Sequence, residues 1–131
     1  MKKILSVLSL MFMLAIPAFA NATTVVLQWT LTTDATVAGQ KVYYGQGTVN
    51  SGTVTCPAVP YTGSTATQGA AGFPVPNGTG ATVAGLVSTN AWCFYVTNTN
   101  AAGMESAISN IVSVPAFPAG VTGVVIKSIT Q

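Results

Sequence analysis

The sequence predicts an all-β chain folded as an antiparallel sandwich, and three observations lead there. Residues 91–99 alternate, with Trp92, Phe94 and Val96 on one parity and Cys93, Tyr95 and Thr97 on the other, the two-residue period of a half-buried strand. After residue 20 there is no apolar stripe of helical period with capping residues, and β-branched residues and glycine crowd out good helix formers. Finally, residues 81–114 carry a strand, a corner after Leu86, a second strand and a turn in one run, which reads as the closing strands of a small sandwich.

Each element follows from the order of residues. Residues 1–20 have Lys2 and Lys3, an apolar run and an Ala18-Phe19-Ala20 ending, the three parts of a Sec-type secretory signal. The mature chain is therefore expected to begin at Asn21, secreted or periplasmic, with no membrane span after cleavage. In residues 21–31, Val25, Leu27 and Trp29 face one way and Val26, Gln28 and Thr30 the other, giving the first strand. A polar connection over 32–39 holds Asp34, and residues 40–44 alternate again as a second strand. Residues 45–80 are too long for a structureless loop; the expectation is a short strand at 53–55, a segment tied down by Cys56, and a loop over 69–80. Strands follow at 79–84, 91–99 and 108–114, with a turn at 100–103. Pro115 and Pro118 then interrupt the ladder, because proline has no N–H to give. The division is a signal over 1–20, a sandwich over 21–115 and a tail over 116–131 with an extra β-rich segment at 121–130.

Charge narrows the partners. Once Lys2 and Lys3 leave with the signal, Lys41 and Lys127 balance the two acids, Asp34 and Glu105. No basic patch remains to neutralise phosphates, so nucleic acid is not an expected partner. The chain has no His and no Arg, and its two acids fall in separate connections. A carboxylate pair for glycoside chemistry is conceivable if those connections meet, but the expectation is a non-enzyme without cofactor or metal. Cys56 and Cys93, an even pair in an exported chain, read as one disulfide; a metal between them would lack its other ligands.

These residues resemble a fibronectin type III domain of the bacterial exported kind, an immunoglobulin-like fold. Residues 25–29 match the family's second strand with its core Trp29, and 37–45 (VAGQKVYYG) match its third. Residues 83–86 lead into the corner, 94–97 match strand F, 100–106 (NAAGMES) the turn from F to G, and Ser109-Asn110 the opening of G. The chain departs from the family in three ways. Trp92 stands where the corner tyrosine is usual, so an indole N–H must replace the phenolic hydroxyl as polar tether. Gln40 replaces an aromatic, and a long insertion over 45–80 separates strands C and E. Parity puts Cys93 opposite Trp92 and Phe94, so a bridge to Cys56 would lie outside the inter-sheet core and staple the insertion to the outer sheet surface.

Two surfaces are candidates for function. Tyr43 and Tyr95 share outward parity on neighbouring strands; they form either a flat aromatic surface for sugar rings or peptide, or a small cluster shielded by the insertion. The segment 121–130, with Val121, Val124, Val125, Ile126 and Ile129, reads as a surplus strand after G in a sandwich without the family's strand A; the other readings are a frayed terminus, or residues 21–24 as a short strand A with the tail on another edge. An unpaired edge is a docking site, so this segment could join one subunit to the next. The expected function is an exported, non-catalytic module for protein or surface binding and adhesion, with a protein or extracellular polymer as partner. The alternatives are a structural subunit assembling head-to-tail through 121–130 and a carbohydrate-binding accessory module. Asn77-Gly78-Thr79 fits an N-glycosylation pattern but reads as a turn.

Overall fold

A computed structural model describes residues 22–118. Seven strands form two antiparallel sheets, with no helix among the described residues. The smaller sheet pairs β1 (Ala22–Gln28) with β5 (Gly80–Val87). The larger runs β3 (Thr53–Thr55), β2 (Val37–Asn50), β6 (Ala91–Asn100), β7 (Val112–Val114), with β4 (Phe73–Pro76) also on β2. The candidate signal at 1–20 and the segment 121–130 lie outside the described residues.

The sheets face each other across one apolar core. Leu27, Val83 and Leu86 from the small sheet meet Val42, Tyr44, Trp92 and Phe94 from the large one. The alternation read in the sequence decides which side chains arrive there, because successive residues of a strand point to opposite faces. Trp92 supplies the expected tether: its Nε1–H donates to the Val87 carbonyl across the corner (2.9 Å). Gln40, 1 % exposed, is a buried polar residue with its needs met. Its amide donates to Asn77 Oδ1 and Asn98 Oδ1 (2.9 and 3.3 Å), and its carbonyl oxygen accepts from the Gly78 N–H (3.2 Å). These bonds offset the desolvation that a lone buried amide would suffer.

Residues 45–80 hold more strand than expected. The second strand does not stop at Tyr44 but continues to Asn50, then turns through Ser51 and Gly52, both at positive φ, into β3. A tight hairpin needs that left-handed pair, which glycine adopts without penalty. The expected loop at 69–80 contains β4, whose Pro74 and Pro76 sit in a strand with β2 as its one partner among the described residues, where a missing N–H is tolerated.

Between β3 and β4 the chain wraps the edge of β2. Gly63 N–H donates to the Tyr44 carbonyl (2.9 Å), Gly72 N–H to the Val42 carbonyl (2.8 Å), and Ala66 reaches the core. A bulge in β5 at Gly85 (φ 79°), opposite the register shift between Thr23 and Val25, turns the Ala84 peptide groups outward. They are taken up by this segment: Thr67 N–H donates to the Ala84 carbonyl (2.8 Å) and Ala84 N–H to Gln68 Oε1 (2.9 Å). The side of the sandwich between β2 and β5 is thereby closed.

The opposite side is built differently. A full strand over 108–114 was expected, but only Val112–Val114 pairs regularly. Residues 106–111 follow β6 through serine hydroxyls. Ser106 N–H donates to the Asn98 carbonyl while Asn98 N–H donates to Ser106 Oγ (2.9 and 3.0 Å). Ser109 repeats the arrangement with Val96 at the same distances. A side-chain oxygen thus takes the place of a backbone carbonyl, a local competition with the ladder open to serine.

Candidate functional site

The two outward tyrosines are directly paired, Tyr43 opposite Tyr95, with rings stacked at 4.7 Å. They do not form an open platform. Tyr95 is 3 % exposed, covered by Tyr61 at 4.9 Å, and Tyr61 N–H donates to the Tyr95 hydroxyl (3.4 Å). Gly45 and Gly47 face this layer, and a Cβ on Gly45 would meet the Tyr61 ring. The shielded cluster is the arrangement present, and of the pair Tyr43 alone keeps partial exposure.

Cys56 and Cys93 form the disulfide, with Cα atoms 5.8 Å apart. It sits with Tyr61 and Tyr95 in a second cluster, outside the inter-sheet core, and joins β6 to the segment that follows β3. Parity located it correctly: Gly45 pairs with Cys93, one step along the outer row from Tyr43 and Tyr95.

Asp34 and Glu105 line one surface cleft of about 360 Å³ with Asn98 and Asn100. Each has its own partners. Glu105 accepts from Lys41 Nζ (2.6 Å), from the Tyr43 hydroxyl (2.8 Å) and from Thr97 Oγ1 (2.9 Å). The Lys41 bond, with help from the two hydroxyls, holds its carboxyl below the usual range. Asp34 is held low by the Thr36 N–H (2.9 Å) and then by the Thr36 hydroxyl (2.7 Å). Burial, then the bond to Glu105, pushes the Tyr43 phenol up to about 12. Neither acid carries a proton near neutrality, whereas acid–base hydrolysis of a glycoside needs one carboxyl held protonated. Among the described residues, no three His, Cys, Asp or Glu side chains gather as a metal site.

Sequence reasoning missed the groove on the open side of the sandwich. Among the described residues β1 has β5 as its one strand partner. Its other edge overlooks a depression of about 100 Å³ lined by Leu27, Trp29, Phe94, Val96 and Val112. A second depression of about 150 Å³ adjoins it at Trp29, Val96 and Ser109, and extends past Thr30 to Ile108. Trp29 is fixed there by its Nε1–H, which donates to the Gly78 carbonyl (2.6 Å). Ile108 and Val112, which line the two depressions, stand in solvent, as do Ile111 and, at an outward position of β1, Val26 (66 % exposed). Two signals in the sequence pointed here. Val26 is apolar at an outward position, and Ser106 and Ser109 fall where a strand would put its hydrogen bonds.

Comparison of the chain with protein-family models, curated proteins and solved structures gives no match.

Proposed function

We propose that this chain is an exported, non-catalytic binding module of the fibronectin type III kind, whose open side accepts an extended segment of a protein partner. In this reading β1 corresponds to the family's strand B, β2 to C, β5 to E, β6 to F, and residues 106–114 to G. The position of strand A, beside β1 and over the groove, is where the partner adds. The observation that carries the reading is the combination of a strand edge lacking a partner among the described residues with an adjoining apolar groove. Strand addition draws affinity from main-chain hydrogen bonds and specificity from the pockets beneath alternate side chains.

Supporting it are the exposed Ile108 and Val112 of the groove lining, the exposed Ile111 and outward Val26, and the absence of charge from that lining. The disulfide, and the lack among the described residues of a helix long and apolar enough to cross a membrane, are compatible with an extracellular or periplasmic compartment. That both acids are held ionised supports the non-catalytic part.

The test is an array of ten-residue segments drawn from exported and surface proteins of the source cell, probed with the chain. Binding of an alternating apolar segment, lost in Val26→Lys and kept in Val49→Lys on the far hairpin, is expected. Binding that Val26→Lys leaves intact, or none to any segment, overturns the reading.

A further inference from the structure

We infer that the segment taken up by this edge is residues 121–130 of a second copy, added antiparallel to β1, so that copies join head to tail. The inference rests on the strand-accepting reading above and names its partner.

The place where the described chain ends carries the argument. Val114 pairs with Trp92 at the start of β6, and Phe117 N–H donates to the Ser88 carbonyl (2.8 Å). Ala22 pairs with Val87, the neighbour of Ser88, so the chain leaves beside the first residue of β1. Residues 119–131 follow from that pole. A segment that turned back there onto its own β1 would run parallel to it, whereas every strand pair among the described residues is antiparallel. Continuing outward, it meets the opposite pole of the next copy, where Gln28 ends β1 and the groove runs on past Trp29 and Thr30. From there it would run antiparallel to β1.

Length and pattern agree. β1 has 7 residues, about 23 Å at roughly 3.3 Å each. The sequence VTGVVIKSIT at 121–130 covers that edge and the stretch of groove beyond Gln28. Its two parities are both apolar, Val124 and Ile126 on one, Val121, Val125 and Ile129 on the other. A solvated edge strand needs one apolar face, toward the core. A strand laid between the groove and the outward Val26 has use for two. Pro115 and Pro118 lie before the segment and interrupt the ladder ahead of it.

The experiment uses the full exported chain with its signal removed, followed by light scattering on a sizing column. The mean mass of the wild type is expected to rise at least about twofold between roughly 1 and 100 µM, as heterologous contacts require. Ile126→Asp removes the donor face and Val112→Lys blocks the acceptor groove; each alone should run as one copy. Mixed in equal amounts they should form a one-to-one pair, since each retains the half the other lacks. Val26→Lys replaces Val112→Lys if the latter loses its β-sheet circular-dichroism spectrum. A wild type that stays at single-copy mass overturns the inference, whether or not hydrogen exchange finds residues 121–130 protected within that monomer. So does an Ile126→Asp chain that assembles like the wild type, or a mixture that does not pair. Running the segment array on Ile126→Asp separates the two readings. A foreign segment bound at the Val26 edge, without self-assembly, removes this inference alone, and no binding of any kind removes both.

Discussion

The two sides of this sandwich show what the same strand chemistry does when an edge is covered and when, among the described residues, it is not. On the β2 side, residues 56–72 wrap the edge, give their N–H groups to its carbonyls and place Ala66 in the core. A disulfide and Tyr61 hold the start of that wrap on the outer face. On the β1 side, one edge and one groove lack such a cover among the described residues, and apolar side chains face water. An exposed edge is a liability that proteins usually blunt with charge, proline or a covering loop. Here one side is blunted fully, and the other is a short strand beside serine-capped chain. A covered edge contributes stability, whereas an open one is suited to an incoming strand.

If that contrast is right, substitutions on the closed side should cost stability and those on the open side should not. Tyr44→Ala should have the largest effect. The ring is buried between Phe73 and Trp92, and its hydroxyl accepts from Ala66 N–H (2.9 Å) and donates to the Gly69 carbonyl (2.7 Å). The loss expected in urea unfolding is about 3–5 kcal/mol. Tyr44→Phe, which keeps the ring and strands those two groups, should lose about 1–2 kcal/mol.

Removing the bridge, as Cys56→Ala with Cys93→Ala, should come next. For a sequence separation of 37 the loop-entropy account gives close to 4 kcal/mol, with measured values commonly about 2–4. Proteolysis of the native double variant should begin between residues 56 and 66, where the wrap is released. Cleavage beginning instead at 106–111 would reverse the assignment of closed and open sides.

Gln40→Leu probes the polar tie beneath the same side. It leaves the Gly78 N–H, Asn77 and Asn98 without their shared partner, for a loss of about 1–3 kcal/mol. Glu105→Gln should weaken the fold by no more than about 1 kcal/mol, because the pair with Lys41 is partly solvated. Its pH dependence has a definite sign. The carboxyl is lower in the folded chain than its ordinary 4.5, so its contribution is whole above that value and lost as pH falls through the folded value. Wild type and variant should converge in acid. Tyr43 acts at the other end of the scale: its folded value of about 12 against 10.0 means that stability is full below about pH 10 and declines up to about 12. A phenolate absorbance titration of Tyr43→Phe should show one fewer late-titrating group, Tyr61, which burial also raises, remaining.

The smallest effect belongs to the open side. Val26→Lys touches an outward, 66 % exposed position and should change stability by less than about 0.5 kcal/mol while abolishing strand uptake. Equal losses of stability at Val26 and Tyr44 would erase the distinction between the sides.

Much of the fold could be read from residue order. The parity of Trp92, Phe94, Cys93 and Tyr95 separated the inner and outer faces of β6 and placed the disulfide on the outside, because a strand has one period and two faces; the Trp92 tether was expected from the family resemblance instead. The length of 45–80 called for a strand at 53–55, where β3 lies, but glycine at 45 and 47, which looks like a strand end, stopped β2 at Tyr44; those positions are small to admit Tyr61 and the bridge. Tertiary structure alone decided that Tyr95 is covered, that Asp34 and Glu105 share a cleft, and that Leu27, Trp29 and Val112 line one groove. Those facts depend on residues far apart in the chain, and which edge receives a cover depends on where the connections cross. Alternation names the face a side chain takes; it carries no information about what is laid over that face.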